Sequence, residues 1–377
     1  MRKIVSLSPS YSPVSVTEIG ADRMSLPSSL NIPGYDPFPV VFEWPADDRF
    51  AAKALPSNID RIQANVLDRF RRSGVLGERA EDGKPTRSEK RFERSLFSHL
   101  VGYTCPNDSE TAIELVVDHV AHLFMLDNFF DEPTMMIRSG ETLDPRMVTD
   151  ALYQSLVNGL TGGGSDGGEI HPYVRALSEL NQGIGARVNT KISGRAGGGE
   201  PFLFRYNEYL SAICAETKFR SSGIWRSPEG YATMRAKTSA VVDVLELIWL
   251  VNGISLEPKV RIDEEFSGMI HNCNRHVSYV NDLFSLANEI QEDTRENMVL
   301  VEHHWQVESS RDLGKAIQST VTRVNQAVAD FVILYNSYFS DPRNGQNTPQ
   351  RKAIQYAIDL MIGNLEWSKE TGRYRPE

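Results

Sequence analysis

The stretch IDEEFSGMIHNCNRHVSYVNDLFSLANEIQ, residues 262–291, decides the fold, because it reads as one long helix with two different faces. Phe266, Ile270, Cys273, Val277, Val280 and Phe284 recur at helical spacing and form an apolar seam. Beside it runs a second line: His271, Asn274, Ser278, Asn281, Ser285 and Asn288, with Glu289 one turn beyond Ser285. Solvated helix faces are built from Lys, Glu and Arg, whereas this line is small, neutral and rich in oxygen. Asn281, Ser285 and Glu289 stand at i, i+4 and i+8, on a line about 12 Å long. An amide oxygen, a hydroxyl and a carboxylate make a donor set suited to a hard cation. Hydrogen bonding between buried helices is the alternative use of the same residues, and the spacing alone leaves both open.

The helical period extends outward in both directions. It predicts helices over 58–73, 87–101, 109–131, 144–160, 170–192, 201–222, 228–254, 262–291, 309–338 and 348–369, without alternating β-type runs. Ser227-Pro228 and Thr348-Pro349 each read as an N-cap followed by proline in the first turn. Residues 1–50 hold seven of the 19 prolines and are expected to be irregular. The chain is therefore read as all-α, with an irregular segment at 1–50 and one helical domain over 51–377.

A second chemical patch lies on the 109–131 helix. Ile113, Val117, Val120, Phe124, Asp127 and Asp131 share one face, so an apolar stripe runs into two carboxylates one turn apart. Pro133 ends this helix and places the acids at its C-terminus. The helix dipole disfavours anions there, so a cation relieves the arrangement, and Mg²⁺ suits paired carboxylates that leave room for water. Solvation of a helix end is the structural alternative for the acid pair.

Composition narrows the partners. The 377 residues carry a formal net charge of −10, with 40% hydrophobic and 24% charged residues. That balance suits a globular protein and argues against nucleic acid or an anionic membrane surface. Cys105, Cys214 and Cys273 are too few and scattered for a disulfide framework or a zinc site, and read as small hydrophobes in a reduced compartment. Val241 to Val251 is too short to span a bilayer and contains Asp243 and Glu246. With no signal peptide evident, the cytoplasm is the expected compartment. The glycine runs at 162–168 and 197–199 lack the lysine, hydroxyl and strand context of a phosphate loop, and read as connections between helices. His119, His122, His271 and His276 lack the paired Glu-x-x-His repeats of a di-metal bundle, which leaves them as core or surface residues.

The two patches together, in this order, resemble the class I terpene cyclases of fungi and bacteria. Asp127-Asn128-Phe129-Phe130-Asp131 is similar to that family's aspartate-rich motif, and Asn281 to Glu289 matches its ND-L-x-S-x-x-x-E triad. Arg235 stands 46 residues before Asn281, the spacing of the family's diphosphate-sensing arginine. Gly363-Asn364-Leu365-Glu366-Trp367 and Arg373-Tyr374 resemble its closing helix and RY pair. The likeness runs from about residue 90 to the end. Departures are Asn128 in place of an acid, Asn288 in place of a basic residue, and Thr238-Ser239 in place of Asp and Gly. Lys237 and Arg275 are candidates to replace the base missing at Asn288.

The resemblance implies a helical bundle around a central cavity and Mg²⁺-dependent ionisation and cyclisation of a linear prenyl diphosphate. It implies three Mg²⁺ ions held by Asp127, Asp131, Asn281, Ser285 and Glu289. Arg235, Arg373 and Tyr374 would bind the diphosphate. Phe124, Phe129, Phe219, Trp225 and Trp305 are candidates to face the carbocation, with helical phase favouring Phe124. The absence of a second prenyltransferase domain favours farnesyl diphosphate, and a homodimer is compatible with the resemblance. Alternatives are a diterpene cyclase using geranylgeranyl diphosphate, a chain-elongating prenyl diphosphate synthase, and a non-catalytic helical binding protein.

Overall fold

The computed structural model describes residues 23–30, 38–78, 83–138, 141–163, 171–193, 199–344 and 348–374. The parts of the glycine runs at 164–168 and 197–198, and of the leader at 1–22 and 31–37, lie outside the described residues. Fourteen helices run in chain order within that set: α1 (Ile59–Arg72), α2 (Arg87–Ser95), α3 (Phe97–Thr104), α4 (Glu110–Asp131), α5 (Pro145–Thr161), α6 (Pro172–Ile192) and α7 (Glu200–Arg220), followed by α8 (Pro228–Thr238), α9 (Val241–Val251), α10 (Pro258–Arg261), α11 (Glu264–Gln291), α12 (Met298–Trp305), α13 (Leu313–Ser340) and α14 (Pro349–Glu370). The expected proline-led helix starts are present: Ser227 Oγ accepts from Gly230 N–H and Thr348 Oγ1 from Arg351 N–H. The expectation of an all-α architecture holds, and one connected apolar core runs from Leu30 to Tyr374.

Two expected helices are each two. The 87–101 segment breaks at Leu96, with φ +50°, and the 228–254 segment at Ala240, with φ +56°. Neither break has a glycine or proline to announce it, so periodicity ran straight through both. The second break matters for the site, because it brings the chain at 238–241 against the bundle cavity.

The leader also differs from expectation over 23–45. Arg23–Leu30 (β1) and Phe38–Pro45 (β2) form an antiparallel hairpin with Leu30 opposite Phe38. Val40, Phe42 and Trp44 are buried while Pro39 and Val41 face outward, a period of two hidden by the prolines and by apolar Val41. Asn325 of α13 grips the strand, accepting from Glu43 N–H and donating to the Val41 carbonyl. Phe42 stacks on Phe284 of α11, with centroids 6.5 Å apart.

At the other end of the chain, α14 lies against α3 through Gly363. A Cβ there would stand 2.8 Å from Tyr103 Cβ, so the absence of a side chain sets the close approach. Trp367 Nε1 donates to the Ser95 carbonyl at 2.7 Å, which fixes the last turns of α14 before Arg373 and Tyr374. No helix among the described residues is long and apolar enough to cross a membrane.

Candidate active site

A cavity enters the bundle between α3, α4, α7, α8, α9, α11 and α14. Its floor is apolar, built from Val120, Leu123, Val244, Ile248, Val277 and Leu360. Asp127, Arg235 and Asn281 also line it, giving it a charged, polar portion. Thr238 Oγ1 and Asn364 Oδ1, from two other lining residues, are buried and have no hydrogen-bond partner in the protein. The α4 stripe therefore does what its spacing predicts: Val120 and Phe124 line the cavity and lead to Asp127.

The polar stripe of α11 divides along its length. Asn274 serves helix packing: its Nδ2 donates to the Ala236 carbonyl, and its Oδ1 accepts from Ser239 and Ser278. Further along, Asn281 joins the C-terminal turn, donating to the Tyr374 hydroxyl at 2.6 Å. Its Oδ1 accepts from Arg235 Nη2 at 2.8 Å, leaving a lone pair on the amide oxygen. Arg235 Nε donates to Asp282 Oδ1 at 3.1 Å, so one guanidinium bridges both residues. Hydrogen bonding between buried helices thus accounts for Asn274 and Ser278, while Asn281 also lines the cavity.

Glu289 is held by a residue the sequence did not single out. Asn297 Nδ2 donates to Glu289 Oε2 at 2.5 Å and to the Asp282 carbonyl at 2.6 Å. Its Oδ1 accepts from Val299 N–H and Leu300 N–H, capping α12. Asp282, fully buried, accepts from Tyr231 Oη at 2.8 Å and from Met298 N–H at 3.0 Å. The only sequence signal for this set is the Asn before Met298-Val299, an N-cap pattern for a helix the periodicity passed over.

Arg373 and Tyr374 close the cleft over α4 and α11. Arg373 Nη2 lies 3.8 Å from Asp127 Oδ2, its guanidinium sits 4.4 Å above the Phe124 ring, and its Nη1 is buried without a partner. Phe124 also stacks on Phe97 at 4.8 Å. Asn288, the departure noted in the sequence, donates to the Arg373 carbonyl at 3.0 Å and so tethers this turn to α11.

Other expected participants are elsewhere. Asp131, one turn beyond Asp127 on α4, is exposed and pairs with Arg220 Nη1 at 2.7 Å. Arg275 reaches Asp330 of α13 at 3.7 Å, and Lys237 is exposed, so neither lines the cavity. Phe129 stacks on Tyr173, Phe219 lies under Arg226, Trp225 stacks on His304, and Trp305 is 56% exposed. None of these four lines the cavity, whereas Tyr209, which the sequence did not mark, lines it with Phe124. The histidines are structural: His119 pairs with Asp243 at 2.6 Å, His122 meets Tyr206, and His276 lies edge-on to Trp44. Cys105, Cys214 and Cys273 are free.

Burial dominates the electrostatics of the site's carboxylates. Burial and neighbouring Asp131 push the Asp127 carboxyl up to about 6, against the pull of Arg373, Arg235 and Arg220. Burial and Asp282 push Glu289 up to about 8. Ser285 Oγ, buried beside Glu289, has no hydrogen-bond partner of acceptable geometry. Among the described residues, no three His, Cys, Asp or Glu side chains are grouped to hold a metal. The donors on offer are instead an amide oxygen, a partnerless hydroxyl and two carboxylates that resist ionising. A hard divalent cation fits that set, because it would relieve both raised carboxyls and take the orphaned hydroxyl.

A family profile described as "Terpene synthase family 2, C-terminal metal binding" matches residues 118–342, more than half of the chain. A (-)-delta-cadinene synthase of Streptomyces clavuligerus is 25% identical over 303 residues, covering 78% of this chain and 86% of its own. A (+)-eremophilene synthase of Sorangium cellulosum is 24% identical over 333 residues, covering 88% and 92%. Among solved structures, a linalool/nerolidol synthase of Streptomyces clavuligerus superposes with a TM-score of 0.67 at 17% identity, covering 84% of this chain and 98% of its own.

Proposed function

The chain belongs to the terpene synthase family, as an enzyme of the microbial class I type, and we propose that it ionises and cyclises farnesyl diphosphate with Mg²⁺. The observation that carries the reading is the meeting of Asp127, Arg235 and Asn281 on one apolar cavity. Sesquiterpene synthases among its relatives support a C15 substrate.

Asp127 and Asp131 on one wall, and Asn281, Ser285 and Glu289 on the other, would hold the metal. Bound Mg²⁺ supplies charge that stabilises the departing diphosphate. Arg235 is oriented for the same oxygens by its double hold on Asn281 and Asp282. Arg373 offers Nη1, a buried donor with no protein partner, and Tyr374 stands beside it with its hydroxyl on Asn281. Charge-assisted donors aimed where charge develops lower the barrier to breaking the allylic C–O bond. Below them the aliphatic floor excludes the water that would quench a carbocation. Phe124 and Tyr209 present aromatic surface there, attracting a cation without offering a strong nucleophile.

Separate incubation with C10, C15 and C20 diphosphates, followed by gas chromatography with mass detection, tests this. A C15 hydrocarbon or alcohol made only with Mg²⁺ is the expected result. Product from the C20 substrate alone would replace the substrate assignment. A longer diphosphate formed only with isopentenyl diphosphate would replace the reaction.

A further inference from the structure

Arg220 ends α7 against the last turn of α4 and is not accounted for by either patch. Its Nη1 pairs with Asp131 at 2.7 Å and donates to the Phe130 carbonyl at 3.3 Å. Its Nε is buried with no hydrogen-bond partner. Its charge is felt by Asp127 on α4, by Glu216 on α7 and by Glu296 just before α12. The guanidinium therefore sits against the last turn of α4, one turn beyond Asp127, with a buried Nε still to be satisfied.

Resting on that reading, we propose that Arg220 is a diphosphate-binding residue, held by Asp131 in the metal-free protein and released to the substrate when a cation takes that carboxylate. Three observations converge on it. The α11 helix offers no basic side chain next to Glu289, because Asn288 stands there and spends its amide on the Arg373 carbonyl. Arg275 is turned to Asp330 of α13 and does not line the cavity, so it does not supply the missing base. Arg220 is held by one carboxylate that a metal would claim. A part-buried guanidinium that loses its carboxylate needs another anion, since an unpaired charge in that setting is costly. The oxygens of a metal-bound diphosphate are that anion, and the guanidinium fork matches them. The Arg220–Asp131 pair thus occupies the anion and cation sites with each other until substrate and metal replace both partners.

Calorimetric titration of inorganic diphosphate into the full-length chain in excess Mg²⁺ tests this without turnover. Arg220→Gln should weaken binding by about tenfold or more, and Arg220→Lys by less, since it keeps the charge but loses the fork. The Arg220→Gln loss should persist in an Asp131→Asn background, where the ion pair is already gone. That background, checked by thermal melting, keeps the question answerable should the single variant lose its fold. Binding within twofold of the parent in Arg220→Gln, or a loss that disappears in the Asp131→Asn background, would overturn the proposal. If the unmodified protein shows no Mg²⁺-dependent diphosphate binding, the metal site itself fails and this inference with it. Normal binding by the parent with an unaffected Arg220→Gln removes Arg220 alone.

Discussion

Asn281 Nδ2 donates to the Tyr374 hydroxyl at 2.6 Å, a contact that spans 93 residues and ties the middle of α11 to the C-terminal turn. The same amide accepts from Arg235, so one side chain sets the relative positions of an arginine, a tyrosine and its own oxygen. Removing one partner of a buried polar contact costs about 1–3 kcal/mol at most when the other is left unsatisfied. Tyr374→Phe should therefore lower kcat/KM with farnesyl diphosphate by about tenfold, with melting temperature changed by only a few degrees. Unaltered kinetics would show that Asn281 does not depend on Tyr374.

Asn297 performs two tasks that substitutions can separate. Its Oδ1 caps α12, and its Nδ2 holds Glu289. Asn297→Ala should lose both, at a cost of about 1–2 kcal/mol for the cap and a further loss for the freed carboxylate. Asn297→Ser keeps a capping oxygen but cannot donate an amide proton to Glu289. Melting curves and Mg²⁺ titrations of the two variants should show similar metal weakening but a smaller stability loss for serine. Equal stability losses would mean that the cap is not the structural half of the role.

Glu216 gives the metal-free protein a pH dependence. Burial, with Glu296 adding to it, pushes its carboxyl up to about 8, while Arg220 and Arg235 pull the other way. Between the ordinary carboxylate range and about pH 8, the folded protein holds a proton that the unfolded chain has released. Stability therefore falls as pH rises through that window and is fully present below it. Glu216→Gln should match the parent near pH 4 and exceed it by about 1 kcal/mol or more at pH 8. Melting curves that shift in parallel across that range would contradict this.

The N-terminal hairpin is tied to the site through aromatic contacts. Phe42 stacks on Phe284, and Phe284 meets the Tyr374 ring at 6.2 Å. Phe42 is fully buried, so Phe42→Ala should destabilise the protein by about 3–5 kcal/mol. Phe42→Leu, which retains most of the volume, should melt closer to the parent. If alanine costs less than about 1 kcal/mol, the hairpin is not part of the core.

The helices and both chemical patches were legible because a helix writes its faces into the sequence at fixed intervals. Val120, Phe124 and Asp127 could be aligned without knowing any neighbour, and so could Asn281, Ser285 and Glu289. What the period cannot carry is which residue meets which across the bundle. The holds of Tyr231 on Asp282 and Arg220 on Asp131 are tertiary and leave no local trace, and that of Asn297 on Glu289 shows only as an N-cap pattern. The breaks at Leu96 and Ala240 escaped for a related reason: residues that usually avoid positive φ adopt it there under packing. The same limit applies to the aromatics, where phase identified Phe124 but not Tyr209 on the next wall.

The central claim is that Asp127 and Asn281 act from opposite walls on one metal–diphosphate centre. The direct test is Mg²⁺-dependent diphosphate release from farnesyl diphosphate by the Asp127→Ala/Asn281→Ala double variant, with its fold checked by melting. Release should be rapid in the parent, cease with a chelator, and fall by at least about a hundredfold in the variant. A folded double variant that releases diphosphate at the parent rate would contradict the assignment of the site.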